Sequence, residues 1–196
     1  MKLIPFSALL SNGETALIRE VGPADRHFLK VGFEHLSERS RNFRFLAAHP
    51  RLTQKELHQF TAPSDVDHVA IGALTKGGSE ALPLGIARYI RLAKAPDVAE
   101  VAVTIVDSHQ GIGLGSLILG VLAKHAVLNG ISEFAALVHQ ENESMLGLFN
   151  RLDGRQTWLD GAEVEVKLQL FHDAADYPKS SVGNAFRNAY GLSQIE

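Results

Sequence analysis

Three glycines at alternate positions have the residue type and spacing of a ligand-binding loop. They belong to the segment Gln110-Gly111-Ile112-Gly113-Leu114-Gly115-Ser116. A β-branched run from Val101 to Val106 precedes it and an amphipathic pattern starts near Gly113, so the order predicts a strand, a glycine loop and a helix. Glycine lets backbone amides approach a ligand without a Cβ in the way, and the helix directs unpaired N–H groups to the same place. The segment predicts a phosphate-binding loop.

Spacing separates three kinds of phosphate loop. A Walker A loop ends in Gly-Lys-Ser or Gly-Lys-Thr, but Ser116 follows Gly115 with no lysine nearby, so this kind is excluded. A dinucleotide fingerprint, G-x-G-x-x-G, needs glycine at position 116 and normally opens a series of βαβ units. The third pattern, Q/R-x-x-G-x-G/A, is satisfied by Gln110, Gly113 and Gly115. A tight turn that binds nothing is the remaining alternative.

The third pattern resembles the pyrophosphate-binding motif of the GNAT superfamily of N-acetyltransferases. The resemblance implies that the amides from Gln110 to Ser116 hold the diphosphate of acetyl-CoA. Four further segments are similar to the acetyltransferase domain of bacterial protein lysine acetyltransferases. They are Leu36 to Phe45, Asp67 to Ala70, Ala87 to Tyr89 and Ala99 to Val103. The implied fold is α/β (α+β), with a mixed, mostly antiparallel sheet of about seven strands, four to five helices and splayed central parallel strands.

The resemblance extends the cofactor site beyond the loop. It implies that free backbone groups at Val103 and Ile105 pair with the pantetheine amides, although ordinary ladder pairing would explain the same residues. Asn142 matches an asparagine that approaches the pantetheine arm, and it would also serve as a helix cap. Phe149 stands where many acetyltransferases have a tyrosine as general acid. Solvent could protonate the thiolate instead, another donor could act, or the domain could bind acetyl-CoA without turnover.

Glu100 is the candidate general base. Acetyl transfer to an amine needs a neutral amine, so a group must remove a proton from the ammonium form. Glu100 is the only charged side chain between Asp97 and Asp107, in an apolar strand where we expect desolvation to strengthen its basicity. The resemblance also implies a glutamate base at this place. The alternative is a glutamate that is exposed to water or paired with Arg88 or Arg91.

The elements that position these residues follow from apolar periodicity and turn residues. Strands are expected at Thr15 to Val21, Val66 to Thr75, Leu84 to Leu92, Val98 to Val106, Phe134 to His139, Gln156 to Leu159 and Glu163 to Phe171. Helices are expected from Pro23 to about Leu36, from the cap Ser37 to Pro50, from the cap Thr53 to Phe60, from Gly113 to Asn129 and from the cap Asn142 to Asp153. Turns are expected at Lys76-Gly77-Gly78, Ala95-Pro96-Asp97 and Asp160-Gly161.

These elements suggest three parts of the chain. Residues 1–13 are expected to form an N-terminal extension, and residues 14–172 the acetyltransferase domain. Residues 173–196 are expected to form a C-terminal tail of loop composition, with a weak helical pattern from Asn184 to Tyr190. The tail could cover an interface or be mobile, and a homodimer is one option for assembly.

Composition limits the class of protein. With 196 residues the chain can bury a core as one domain, and a net charge of -3 argues against nucleic acid as a partner. The absence of cysteine excludes disulfides and a cysteine nucleophile. Nine histidines are scattered without metal-ligand spacing, so we expect no metal. The apolar run from Leu3 to Leu10 is too short to span a membrane and lacks a convincing cleavage site, so we expect a soluble, cytoplasmic protein.

Three functions stay open. The first is acetyl transfer from acetyl-CoA to a protein lysine, with the basic and aromatic stretch from Arg39 to Phe45 shaping the acceptor side, although a solvated helix face would explain its arginines too. The second is the same chemistry on a small amine, and the third is an acetyl-CoA-binding regulatory module. Local hydrogen bonds or a place near the acceptor pocket would explain His68 and His139.

Overall fold

The computed structural model describes residues 1–76 and 80–196. Both glycines of the expected turn at Lys76-Gly77-Gly78 lie outside the described residues. The strands are β1 (Phe6–Leu9), β2 (Thr15–Glu20), β3 (His68–Thr75), β4 (Pro83–Leu92), β5 (Ala95–Ile105), β6 (Glu133–His139), β7 (Arg155–Trp158) and β8 (Glu163–Gln169). The α-helices are α1 (Arg26–Glu34), α2 (Glu38–Phe45), α3 (Gln54–Phe60), α4 (Leu114–Leu128), α5 (Glu143–Asn150) and α6 (Ser181–Leu192).

The strands form one mixed sheet in the order β1-β2-β3-β4-β5-β6-β8-β7. Its pairs are antiparallel except β5 with β6, which are parallel. This parallel ladder runs only from Val98 opposite Glu133 to Glu100 opposite Ala135. Beyond it β5 stays with β4 as far as Ile105, whereas β6 stays with β8, so the two strands separate. The prediction of a mixed sheet with splayed central parallel strands is confirmed.

Helices cover both faces of the sheet. On one face α4 packs against β3, β4 and β5, and α6 packs on the outside of α4. A Cβ at Gly120 of α4 would lie 2.8 Å from the Cβ of Ala189 and 3.1 Å from the Cα of Phe186, so α4 and α6 are in close contact there. The opposite face carries α1, α2 and α3. Within residues 1–76 and 80–196, every helix is too short or too polar to cross a bilayer.

The structure differs from the expectations at both ends of the chain. Residues expected in an N-terminal extension supply β1, a short edge strand that pairs with β2 and makes the sheet one strand larger than expected. Part of the expected C-terminal tail forms α6, whose apolar residues Val182, Phe186 and Ala189 are buried against the core. An antiparallel bridge between Leu3 and Ile195 joins the two ends. Both segments are ordered because each covers apolar surface that the rest of the chain leaves open.

One expected turn is misplaced. The break at Ala95-Pro96-Asp97 is wrong, because β5 already begins at Ala95 and the turn lies at Ala93 and Lys94. The pairing of β4 with β5 is irregular next to Leu92, which opposes Ala95. Pro96 is tolerated there because it lies in the irregular stretch at the start of β5, where the ladder needs no N–H donor.

Candidate active site

The glycine loop has the backbone conformation that only glycine adopts readily. Gly111 and Gly113 have φ angles of 75° and 85°, and a Cβ at either position would meet no atom within 4 Å. Helix α4 begins at Leu114, and its first helical hydrogen bond runs from the amide of Leu117 to the carbonyl oxygen of Gly113. In the described part of the chain, no amide N–H from residues 111 to 116 donates to another protein group. These amides lie at the start of a helix, next to the open space at Gly111 and Gly113.

Side chains hold this loop from the outside. The Nε2 of Gln110 donates to the carbonyl oxygen of Ile105 at 3.1 Å and to Oγ of Ser40 at 3.3 Å. Oγ of Ser11, in the turn between β1 and β2, donates to the carbonyl oxygen of Ile112 at 3.1 Å. These bonds use the side chain of Gln110 and loop carbonyls, and they leave the loop amides available.

The separation of β5 from β6 leaves backbone groups of β5 without a neighbouring strand. The amide of Val106 donates to Leu84 of β4, so alternate residues of β5 direct their backbone groups towards β4 and the others towards β6. Val103 and Ile105 belong to the second set, at a level where β6 has moved away. The carbonyl oxygen of Ile105 accepts from Gln110, whereas the backbone of Val103 faces the gap.

A cleft of about 240 Å³ lies in this gap. It brings together four predicted site residues, namely Glu100, Val103, Asn142 and Phe149. Its other walls come from α2, β5, β6 and α5, at Phe43 to Leu46, Val101, Ala102, Ala136 to Val138 and Met145. Strand β5 connects the cleft to the glycine loop. The gap begins at Glu100, where the parallel ladder ends, and β5 then continues towards the loop.

No family model matches the chain. Acetyltransferase PA5475 of Pseudomonas aeruginosa is 30% identical over 142 residues, which cover 71% of this chain and 74% of that protein. The crystal structure of the GNAT domain of S. lividans PAT is 32% identical, with a TM-score of 0.77 over 85% of this chain and 97% of that one. The chain belongs to the GNAT acetyltransferases.

Two further relatives are longer chains, of which the match covers only about half. Acetyltransferase Pat of Mycolicibacterium smegmatis is 27% identical over 150 residues, and the match covers 76% of this chain but 44% of that protein. A cAMP-binding acyltransferase from Mycobacterium smegmatis matches 97% of this chain and 54% of its own, with a TM-score of 0.60 and 23% identity. This chain therefore spans about half the length of these relatives, and the second match shows the fold alone.

Glu100 of this GNAT protein is exposed, although its backbone pairs with Ile90 of β4 and Ala135 of β6. The expectation that the strand desolvates this carboxylate is therefore wrong for the free protein. Among the described residues Glu100 makes no salt bridge, and the suggested partner Arg91 pairs with Asp67 at 2.7 Å. Arg88, the other suggested partner, is buried and lies more than 4 Å from any described carboxylate oxygen.

Helix α2 carries the basic and aromatic stretch to the cleft. Ser37 caps it as predicted, since its Oγ accepts from the amide of Ser40 at 3.2 Å. Phe43, Arg44 and Phe45 line the cleft opposite the end of the β5 ladder. The guanidinium of Arg44 lies 5.2 Å from the ring centroid of Phe45, and burial lowers the pKa of Arg44. Arg44 is thus packed in the site rather than on a solvated helix face.

Asn142 and Phe149 hold α5 against the cleft. Oδ1 of Asn142 accepts from the amide of Met145 at 3.2 Å, so Asn142 is a helix cap that also lines the cleft. Phe149 is 2% exposed and offers no proton. Tyr89 and Tyr177, like the third tyrosine of the chain, do not line the cleft, and both have hydrogen-bond partners elsewhere. No tyrosine hydroxyl therefore replaces the missing acid.

The two histidines singled out in the sequence border the site without lining the cleft. His68 is on β3, and burial, followed by the charge of Arg88, lowers its pKa. The ring of His139 lies 5.3 Å from that of Phe43, and its Nδ1 accepts from the amide of Glu141. Over the described ranges, no group of three or more acidic or histidine side chains could hold a metal ion.

Arg88 was not predicted from the sequence as a site residue and was considered only as a partner of Glu100. Arg44 belongs to the stretch from Arg39 to Phe45, which was expected to shape the acceptor side. The available signal for Arg88 was a single charged residue in the apolar strand from Leu84 to Ile90. A lone arginine at such a position is either exposed or buried for a purpose.

Proposed function

We propose that this chain transfers the acetyl group of acetyl-CoA to a primary amine, with Glu100 as general base. The observation that carries the proposal is the end of the parallel ladder at Glu100. That end places the carboxylate, the free backbone of Val103 and the glycine loop along one strand. The open space at Gly111 and Gly113, next to unpaired amides, fits a diphosphate.

Glu100 acts on the acceptor. The carboxylate accepts a proton from the ammonium group, directly or through one water molecule, and the neutral amine nitrogen attacks the thioester carbonyl carbon. An N–C bond forms, the C–S bond breaks and the nitrogen loses its second proton to solvent, to which Glu100 also passes the first proton before the next turnover. The departing sulfur is a thiolate, which leaves more readily than an alkoxide and takes its proton from solvent. This route requires no tyrosine at position 149.

Bound acetyl-CoA supplies the thioester and the binding energy of its diphosphate and pantetheine arm. The amides of residues 111–116 would hold the diphosphate, and the backbone of Val103 and the side chain of Asn142 would face the pantetheine. Ile105 and Gln110 would brace the loop, since they already bond to each other. A protein lysine is the acceptor that the resemblance implies, and a small amine is the alternative acceptor.

Thiol release from acetyl-CoA, with lysine peptides and a panel of amines, tests the proposal. We expect Glu100→Gln to lower kcat by about 10²-fold or more, while the Kd for acetyl-CoA changes by less than about threefold. Glu34→Gln, an exposed carboxylate on α1, is the matched control and should change neither. A kcat for Glu100→Gln within about threefold of the wild type would remove the general-base role. Tight CoA binding without turnover on any acceptor would instead favour a regulatory module.

A further inference from the structure

Arg88 of β4 is a buried cation with no described carboxylate oxygen within 4 Å. Its residue is 6% exposed, and within the described ranges its Nη1 has no hydrogen-bond partner. Burial, followed by the charge of Arg44, lowers the pKa of Arg88 to about 10, so the guanidinium stays charged at neutral pH. A buried guanidinium that makes no hydrogen bond is costly, and proteins rarely keep one without a use.

The neighbouring charges do not satisfy Arg88. The ring of Phe60 lies between two guanidiniums, with Cζ of Arg88 at 4.5 Å and Cζ of Arg44 at 5.8 Å from its centroid. The carboxylate of Asp25 is bound by both terminal nitrogens of Arg19, at 2.6 and 2.9 Å.

The other titratable groups are also engaged or repelled. Glu56 accepts from the amide and hydroxyl of Thr53 and lies 3.1 Å from His49. His68 is on the same sheet face as Arg88, and burial, followed by the charge of Arg88, lowers its pKa. Glu100, in the neighbouring cleft, is the carboxylate whose charge partly offsets the lowering of the pKa of Arg88.

A cavity of about 90 Å³ lies beside Arg88, between the sheet and helices α1 to α3. Its walls are mostly apolar and include the rings of Phe28, Phe33 and Phe60. Arg44, Phe45 and Ala102 line both this cavity and the cleft of Glu100, so the two spaces are adjacent. The cavity can take an apolar group that enters from the cleft.

The register of β4 and β5 sets the spacing between the base and the cation. Arg88 is opposite Ala102 and Ile90 is opposite Glu100, so Arg88 and Glu100 are diagonal neighbours on one face. The Cα atoms of such diagonal neighbours on paired strands are about 7–8 Å apart. A molecule with an amine close to a carboxylate can therefore contact both side chains at once.

We propose that the acceptor of this enzyme is a small amino carboxylic acid with an apolar side chain. Its carboxylate binds Arg88, assisted by Arg44, its amine reaches Glu100, and its apolar group fills the cavity. A planar guanidinium binds a carboxylate through two parallel hydrogen bonds, which suits this role. The inference rests on the proposed acetyl transfer and names its substrate class. The product keeps the carboxylate and carries an N-acetyl group, with coenzyme A released as the thiol.

Matched acceptors test the inference in the thiol-release assay. Leucine and phenylalanine are compared with 3-methylbutylamine and 2-phenylethylamine, which lack the carboxylate, and with a lysine peptide whose ends are blocked. We expect the wild type to have a kcat/KM at least about tenfold higher for the amino acids. Arg88→Met should lower kcat/KM for the amino acids by about 10- to 100-fold, mainly through KM, and change it less than about threefold for the plain amines.

Three variants distinguish the loss of carboxylate binding from a loss of folding. Arg88→Lys keeps the charge but loses the planar fork, and we expect an intermediate kcat/KM for the amino acids. Arg44→Met should also lower it, and replaces Arg88→Met if that variant fails to fold. Arg155→Met is the matched control, because that arginine side chain is 80% exposed on β7, and it should leave every acceptor unchanged.

Each failure has its own signature. Equal use of amines with and without a carboxylate overturns the inference, as does a preference for the lysine peptide, while both leave the proposed acetyl transfer in place. A preference for succinyl-CoA with plain amines also overturns it, because the guanidinium would then select the acyl group. If no acceptor gives turnover, the proposed function fails. Calorimetric binding of leucine to the CoA complex, lost in Arg88→Met, would still support the site, and no binding would overturn it.

Discussion

Gly113→Ala separates the phosphate-binding role of the loop from its role in the fold. Gly113 has a φ of 85°, and a Cβ there would meet no protein atom within 4 Å. The cost in the free protein is therefore backbone strain alone, about 1–2 kcal/mol of unfolding free energy. The added methyl would enter the open space beside the unpaired amides. We expect the Kd for CoA to rise by about 10- to 100-fold, or roughly 1.4–2.8 kcal/mol.

Helix α4 provides the matched control at its other end. Gly130 follows the helix with a φ of 79°, and a Cβ there would also meet nothing within 4 Å. Gly130→Ala should therefore lower the unfolding free energy by a similar amount, about 1–2 kcal/mol. It should change the Kd for CoA by less than about twofold, because it lies at the end of α4 opposite the loop.

Calorimetric titration and urea denaturation measure the two effects. A second ligand sharpens the test, because S-acetyl-pantetheine lacks the diphosphate, and we expect Gly113→Ala to leave its Kd within about twofold. Equal losses of CoA affinity in Gly113→Ala and Gly130→Ala would show that stability alone controls binding. Unchanged CoA affinity in Gly113→Ala would refute the assignment of this loop to the diphosphate.

Three further variants test packing, titration and proton donation. Gly120→Ala should lower the unfolding free energy in urea by about 1–3 kcal/mol, because its Cβ would lie 2.8 Å from α6, whereas Gly191→Ala, in open space in α6, should raise it by up to about 1 kcal/mol. Burial lowers the pKa of His125 below 6.5, so only the unfolded chain gains that proton as pH falls through 6.5. Thermal stability should therefore decrease from pH 7.5 to 5.5, less steeply in His125→Gln than in the exposed control His172→Gln. Phe149→Tyr should leave kcat within about threefold, since the thiolate needs no donor, and a tenfold rise would contradict this.

The half of the fold that contains the glycine loop could be predicted because its signals are local. A strand, three glycines and a helix are consecutive in sequence, and their geometry follows from the positive φ of Gly111 and Gly113. The helix caps Ser37 and Asn142 were also readable, because each bonds an amide three residues later. These features depend on neighbours in the chain and hardly on the rest of the fold.

The ends of the chain could not be predicted in the same way. β1 has four residues at the sheet edge, and its only strand partner among the described residues is β2. The weak helical pattern from Asn184 to Tyr190 lies within α6, but it gave no sign that this helix covers the core. That signal was in α4, which is apolar on nearly every side and not amphipathic as expected. A helix that is apolar all round must be covered on two sides, so the sheet alone could not bury it. That argument predicts a further covering element, and α6 supplies it.

Glu100 and Arg88 look alike in sequence, since each has apolar neighbours on both sides in its strand, yet one is exposed and the other buried. The difference comes from contacts far apart in sequence. Helices α1 to α3 cover the sheet at Arg88, whereas Glu100, on the same face of the sheet, lines the open cleft. No local pattern carries that information, and the expectation that Glu100 is desolvated failed for this reason.

The same arrangement determines how an acceptor reaches the base. Helices cover the cavity beside Arg88, and Arg44 and Phe45 of α2 line both cavity and cleft, so the two spaces are adjacent. The two proposals therefore give acceptor selection to α2 and β4, and cofactor binding to β5 and the loop before α4. Because different elements carry the two tasks, substitutions in α2 can change the acceptor while the cofactor site stays intact. Relatives that share this fold at about 30% identity therefore need not share an acceptor, and Arg44 and Arg88 are the residues to compare first.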